Sequence, residues 1–585
     1  MNHFVKPNKK HILSISIAAA LGLSLTGCGS GSGASVSIEE VQKIGFWYGE
    51  ESYLKLDEEK PYAEAKCSEC SNQNFTYTWQ IDMDEDGTFD GEADASYSGE
   101  RYAPNRHEYA KPVRLIANHK EASQPAMVEY RPSAMVKEIL AAGAGDGETF
   151  FALRSDGSGV VWGDERRGGD TSLNGQEILS NIKSVHMASL AIAITKSDDS
   201  VTVFGRQTHG GDASNVRDQL NNIKSVTSNS FSMAVINDKG GVIAWGDPTE
   251  QGTHRGLGGE IPADKAELLK SGVVDIAAVR QGGYAALKDD GSVVTWGDSR
   301  FSQTLEEDKS LPKIKQLYPS HNAMAAVDIN GNAVAWGDED KGGDINHNNA
   351  NVPVINVTDI VASPIFSRAY AAVSNGKVVA WGDVNYGGSE PTAELERLKE
   401  IKQIYTTDNT FVALDIDGNA VAWGAPDTGG DSSGAGELTN IKEIYSAWGL
   451  GYVALKEDGS YVDWGYHHID NSIPMPAELQ NVDSIFTNEA AYVALKSDGT
   501  LAVWGLDERN DATGEVSGDY GAYIDDETKE KLKNIQNVYP NRYAFAAVTL
   551  DGDVITWGRA SSGGNSSADD VAPFLKPQAE QKVTN

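Results

Sequence analysis

The chain has 585 residues, 85 acidic against 49 basic, and a formal net charge of -36. Such a field repels phosphate backbones and anionic headgroups, so nucleic acid is excluded as a partner class and membrane attachment has to come from something other than basic charge. A hydrophobic share of 40% in alternating runs is that of a folded, mostly β protein rather than a disordered acidic chain.

In chain order, Lys6, Lys9 and Lys10 precede an apolar stretch from Ile12 to Leu25 that is too short to span a bilayer. Residues 1–27 therefore read as a signal peptide. The tetrad Leu25-Thr26-Gly27-Cys28 resembles the lipobox of bacterial lipoproteins, which implies lipidation of Cys28 as a membrane anchor. Gly29 stands where an aspartate would favour inner-membrane retention in that family, so the implied address is the outer membrane. Removing residues 1–27 takes away three lysines and no acid, leaving a net charge of -39. Residues 28–36, rich in Gly and Ser, form a flexible tether.

Residues 37–134 are a separate domain. Its segments YTWQIDMDEDGTFDG (Tyr77–Gly91), KPVRLIAN and AMVEYRP alternate as strands do, and the pattern resembles an immunoglobulin-like or PKD-like β-sandwich. Asp82, Asp84, Asp86 and Asp90 have the alternate spacing that turns carboxylates around a hard cation, with Gly87 permitting the bend, so calcium is the one candidate cofactor. Ala93 stands where an EF-hand needs its bidentate glutamate, which leaves a solvated acidic turn as the alternative. Cys67 and Cys70 form a C-x-x-C without the partners of a zinc site; in an extracytoplasmic protein the expectation is a local disulfide.

From residue 135 to 566 one pattern recurs ten times: an apolar alternating run, a run ending in Ala-Leu or Ala-Val, a turn often spelled Asp-Gly, then strand formers closing on Trp-Gly. The closing aromatics are Trp162, Phe204, Trp245, Trp296, Trp336, Trp381, Trp423, Trp464, Trp504 and Trp557, spaced 40 to 53 residues apart. Self-similarity at that period marks a repeat array whose copies bury their apolar faces on one another. In the copy from Ile441 to Gly465, Ile441, Ile444 and Tyr445 suit a first strand, Tyr452 to Lys456 a second, and Tyr461 to Trp464 a third, with Asp458-Gly459 as the tight turn. Three strands cannot stand alone, and a ring of such sheets is a β-propeller with the tryptophans as a repeated core layer.

The text Ala-Leu-Lys-x-Asp-Gly-x-x-x-x-Trp-Gly resembles the repeat of regulator-of-chromosome-condensation-type propellers, and in its shortness β-lactamase inhibitor protein II. The chain departs from that family in writing Gly-Gly after the tryptophan, as in VVWGDERRGGD (Val160–Asp170), and in having ten units where the family closes with seven. One enlarged ring, a seven-plus-three arrangement and an open superhelix are all compatible with ten, and a single curved array is the expectation. Residues 247–272 and 506–534 are insertions expected to project as loops, where recognition usually resides. Residues 567–585 read as a C-terminal tail.

No G-x-S-x-G, H-E-x-x-H or phosphate loop occurs, and the 11 histidines are scattered. The expected function is a lipid-anchored binding or adhesion module presenting propeller loops to a protein or glycan, and not an enzyme. The alternatives are an extracytoplasmic polysaccharide-active enzyme and a protein inhibitor on the same scaffold. Carboxylates gathered in the channel would favour the enzyme, and an aromatic patch on one rim the binder.

Overall fold

The structure is a computed structural model that describes residues 36–42, 62–67 and most of 75–583. Residues 84–88, 90, 100–111, 142–146, 249–255, 303–310, 348–352, 466–471, 510–515, 568–570 and 576–580, with several shorter loop stretches, lie outside the description. Two compact units divide the chain: 1–133 with 578–585, and 134–577.

In the smaller unit Val36–Gln42 pairs antiparallel with Tyr62–Cys67. A second antiparallel sheet has the order 581–583, 126–131, 113–119, 75–81 and 95–98. Alternation decides its faces: Trp79, Ile81, Val113, Leu115 and Ala117 are buried, and the Trp79 indole donates to the Gly99 carbonyl at 3.0 Å. The segment that reads as a tail from its sequence supplies an edge strand here, with Gln581 to Val583 opposite Arg131 to Glu129.

The larger unit holds the ten repeats, numbered 1 to 10 by their closing pairs. Nine are three-stranded antiparallel sheets in sequence order. Unit 9 is enlarged: its third strand, Leu501–Arg509, also pairs with Ser472–Ile473 and Val516–Asp519. In unit 8 the strands are Ile441–Ala447, Gly451–Lys456 and Tyr461–Gly465, joined at the lower end by a turn in which Asp458 Oδ1 accepts from Ser460 N (2.9 Å) and Oγ (2.6 Å). Gly459 sits there at φ 82°, a conformation that favours glycine.

Middle strands are buried on both faces, and the period of two divides each between its neighbours. In Thr410–Asp415 every residue is buried; Phe411 and Ala413 join unit 6, while Val412 and Leu414 join unit 8. Ten apolar clusters follow from this rule, one for each seam between consecutive units, including a seam between unit 10 and unit 1. In that last cluster Phe150, Ala152 and Trp162 pack against Ala544, Ala546, Val548, Val571 and Leu575. The array is therefore one closed ten-bladed propeller. The seven-plus-three arrangement and the open superhelix are set aside, because either would leave the two terminal faces uncovered.

The closing aromatics are all buried. Each tryptophan faces the preceding unit, and at seven seams its indole N–H donates to the carbonyl of the first glycine of the loop arriving from that unit. The pairs are Trp162–Gly563, Trp245–Gly210, Trp296–Gly258, Trp381–Gly342, Trp423–Gly387, Trp464–Gly429 and Trp557–Gly521, at 2.9 to 3.2 Å. The Gly-Gly that departs from the family repeat thus has a structural use. Gly387, at φ 84°, would place a Cβ 2.7 Å from the Phe411 ring, and Gly388 would place one 2.4 Å from the Gly382 carbonyl carbon. Only glycine lets the loop come close enough to offer its carbonyl.

Three seams lack this bond. Phe204 has no N–H to give, and the Nε1 atoms of Trp336 and Trp504 are buried without a hydrogen-bond partner. Before Trp336 a short helix, Ser299–Ser302, replaces the Gly-Gly loop, and Phe301 fills the seam with its ring 6.2 Å from the indole.

Candidate interaction face

The backbones of consecutive units come closest at their first strands, which therefore surround the axis. At the upper end, which carries the Trp-Gly pairs, five of the short loops between first and middle strands donate a backbone hydrogen bond to the loop of the next unit. Ser230 N donates to Arg280 O (3.3 Å) and Gln281 N to His321 O (3.2 Å); Gly449 N donates to Glu489 O (3.0 Å), Glu489 N to Arg542 O (3.4 Å) and Arg542 N to Gly147 O (2.9 Å). A loop tied to its neighbours and to a rigid sheet presents its side chains with little entropy left to lose on binding.

Aromatic rings and guanidinium groups alternate on this belt. Phe366, 38% exposed in the loop of unit 6, lies under the Arg280 guanidinium at 4.8 Å and 5.7 Å from the His321 ring, so three consecutive units contribute. Two residues on, Arg368 lies over Tyr386 at 4.9 Å. Across the mouth Tyr543 carries Arg559 at 3.6 Å and Arg542 at 4.8 Å, with Tyr520 tilted against it at 5.6 Å. Arg542 is ion-paired with Glu489. Phe231 with His209 at 5.5 Å continues the pattern in units 2 and 3.

The lower end is different in kind. The residue after the leading apolar position of the first strand is lysine in six units, Lys137, Lys183, Lys224, Lys315, Lys402 and Lys442, all exposed. It falls at a bulge in the ladder, which turns it out of the sheet. Lys183 pairs with Asp199, and Lys224 donates to the Asp238 carbonyl at 2.8 Å. Along the axis the carboxylates are dispersed: Glu138, Asp275, Asp359 and Glu443 come from units 1, 4, 6 and 8. The tightest grouping has Tyr445 donating to Glu443 Oε2 at 3.0 Å. Burial, then Glu443, raises the Tyr445 hydroxyl far above its ordinary range and the Tyr405 hydroxyl to about 12. Both phenols stay neutral, and Tyr445 acts as a donor.

The insertions do not project as whole loops. Leu257 and Leu269 are buried, Leu257 O accepts from Ser232 Oγ (2.7 Å), and Gly258 is the acceptor for Trp296. In the second insertion Gly521, Ala522 and Leu532 serve the seam between units 9 and 10. Insertion length concealed them, although Gly258-Gly259 is the same pair written late.

Asp82 is buried in the smaller unit, and Asp84, Asp86 and Asp90 lie outside the described residues. Among the described residues no group of three or more His, Cys, Asp or Glu is placed to hold a metal ion. Asp94, which the sequence did not single out, clips the acidic turn by accepting from Met83 N (2.9 Å) and Gly91 N (2.8 Å). Cys67 ends its strand; Cys70 and Cys28 lie outside the described residues. No described helix is long and apolar enough to cross a membrane.

No protein-family model and no curated protein matches the chain. Among solved structures it is similar to the ectodomain of the Physcomitrella patens receptor kinase CR4 (14% identity, 49% of this chain and 73% of that one, TM-score 0.28). Human WBSCR16 is similar at 13% identity over 68% of this chain and 99% of that one, with a TM-score of 0.27. Prp20p from Saccharomyces cerevisiae, whose structure was described with its binding to Gsp1p and histones, is similar at 17% identity over 63% and 78%, with a TM-score of 0.26.

Proposed function

We propose that this chain is a binding module, anchored through a lipidated Cys28 at the outer membrane, whose ring presents its upper mouth to a protein or glycan at the cell surface. The observation that carries the reading is the set of aromatic rings stacked with guanidinium groups at the upper mouth, Phe366 exposed and Tyr386 and Tyr543 partly so, because such pairs are what recognition surfaces are made of. The small N-terminal domain is an immunoglobulin-like spacer in this account, with the Cys67–Cys70 bridge stapling it and calcium at Asp82, Asp84, Asp86 and Asp90 stiffening its turn.

The test uses the soluble fragment from residue 36 onward to capture partners from intact cells. Phe366→Ala and Phe231→Ala together should abolish the capture while leaving the thermal melt unchanged; capture undiminished by both would remove the upper mouth from the account. Fatty-acid labelling lost in Cys28→Ser supports the anchor, and equal labelling of both proteins rejects it.

A further inference from the structure

Four guanidinium groups at the upper mouth already have a carboxylate. Arg166 pairs with Asp164 at 3.0 Å, Arg167 with Glu148 at 3.4 Å, Arg300 with Asp298 at 3.0 Å, and Arg542 with Glu489. In a chain with 85 acids that is the expected outcome. Arg368 and Arg559 are exceptions of one kind. Each lies on a tyrosine ring, Tyr386 and Tyr543, and neither side chain makes a hydrogen bond or ion pair among the described residues. The Arg368 Nε is buried with no acceptor. Stacking on a ring fixes the plane of the fork, whose two terminal nitrogens a carboxylate meets with parallel bonds.

We propose that Arg368 on Tyr386 and Arg559 on Tyr543 are two docking stations for aspartate or glutamate side chains of a folded protein partner. This rests on the reading of the upper mouth as the binding face and adds the chemistry of what it takes. Position favours a protein over a glycan chain. The stations belong to units 6 and 10, four units apart one way round the ring and six the other, so they lie on nearly opposite sides of the mouth. A polysaccharide followed in single file needs an unbroken trail of rings, whereas a globular partner seated over the mouth reaches both sides at once and gains from engaging two sites together. The net charge of -36 opposes an acidic partner at long range, so its carboxylates must be local, and at physiological ionic strength a Debye length of about 8 Å leaves the close contacts in control.

The experiment titrates the fragment from residue 36 onward with a fluorescent oligoglutamate at physiological salt, by anisotropy. Arg368→Gln and Arg559→Gln should each weaken binding about tenfold, roughly 1.4 kcal/mol. Arg368→Lys should also weaken it, since a lysine keeps the charge but not the planar fork. Lys224→Gln, equal in charge loss to either glutamine variant and remote from the mouth, should leave binding unchanged; an equal loss there would mean bulk charge and overturn the proposal. Failure of oligoglutamate to bind the wild type overturns it as well. Binding of oligogalacturonate in its place, with the same arginine dependence, would transfer the stations to an acidic glycan. If oligoglutamate fails while Phe366→Ala still loses the captured cell-surface partner, the binding face stands and only the carboxylate assignment falls.

Discussion

The Trp162 indole donates to the carbonyl of Gly563 at 3.2 Å, a bond between residues 401 positions apart that joins the first unit to the last. It has the same partners and geometry as the bond between Trp423 and Gly387, which spans 36 positions. Closure is thus made by the interaction that six other seams use.

Trp→Phe removes the N–H together with the five-membered ring, so each seam bears a cavity cost and the hydrogen bond sets the difference between seams. Trp423→Phe also leaves the Gly387 carbonyl without its donor and should cost about 1 to 2 kcal/mol beyond the lost ring. Trp336→Phe deletes a donor that has no acceptor, so its cost should be that of the lost ring alone and the smaller of the two. Chemical denaturation of the two variants side by side decides it, and equal losses would remove the bond from the account of seam strength.

Trp423→Ala should cost about 3 to 5 kcal/mol, because the indole is buried and stacked on Phe411 at 5.5 Å between ring centres. Hydrogen exchange should show the loss in units 6 and 7 first. The corresponding Trp162→Ala should expose amides in units 1 and 10 together, at the two ends of the repeat sequence.

Gly388→Ala puts a methyl 2.4 Å from backbone that cannot move aside, and should destabilise by at least roughly 1 to 3 kcal/mol. Gly376→Ala is the informative contrast. It has a positive φ of 76° but nothing within 4 Å, so its cost should be that of backbone conformation alone.

Excising residues 511–514, which leaves two residues to join the paired Arg509 and Val516, should leave the melt nearly intact, because none of the seam residues goes with them. Excising 506–534 should collapse the seam between units 9 and 10, because Gly521, Ala522 and Leu532 leave with it. Circular dichroism melts of both deletions test the division of that insertion into core and loop.

His186, partly buried on the first strand of unit 2 with Nε2 2.8 Å from Ser228 Oγ of unit 3, is held neutral by desolvation, which lowers its pKa to about 4. The unfolded chain takes up the proton near 6.5, so this group's contribution is fully present above that pH and is lost as pH falls from 6.5 towards 4. The loss should be on the order of 1 to 3 kcal/mol. The difference in stability between wild type and His186→Gln should therefore narrow on acidification, and a constant difference would assign the acid sensitivity elsewhere.

The repeat was legible because its signals are local: Asp458-Gly459 is a turn in any context, and Ile441 to Trp464 alternates as strands must. Closure was not, since Phe150 meets Ala544 only after the whole array has curved, and no neighbouring residue records curvature. The insertions were misjudged for the reverse reason. Their length suggested free loops, while single residues within them, Leu257 and Gly521, had been recruited by adjacent seams. The upper face was visible only as unremarkable residues, because Arg368 and Tyr386 lie 18 positions apart and nothing in either marks the other.

Every blade of the ring is one uninterrupted stretch of chain, and the first and last meet through side chains and loops without exchanging a strand. Nothing in that closure counts. A gene that gained or lost one repeat by unequal recombination would still encode an end that fits its beginning, provided the small change in the angle per seam could be absorbed. Copy number is then free to drift, and with it the diameter of the mouth, so that related genes could vary the size of what they grip before changing a single contact residue.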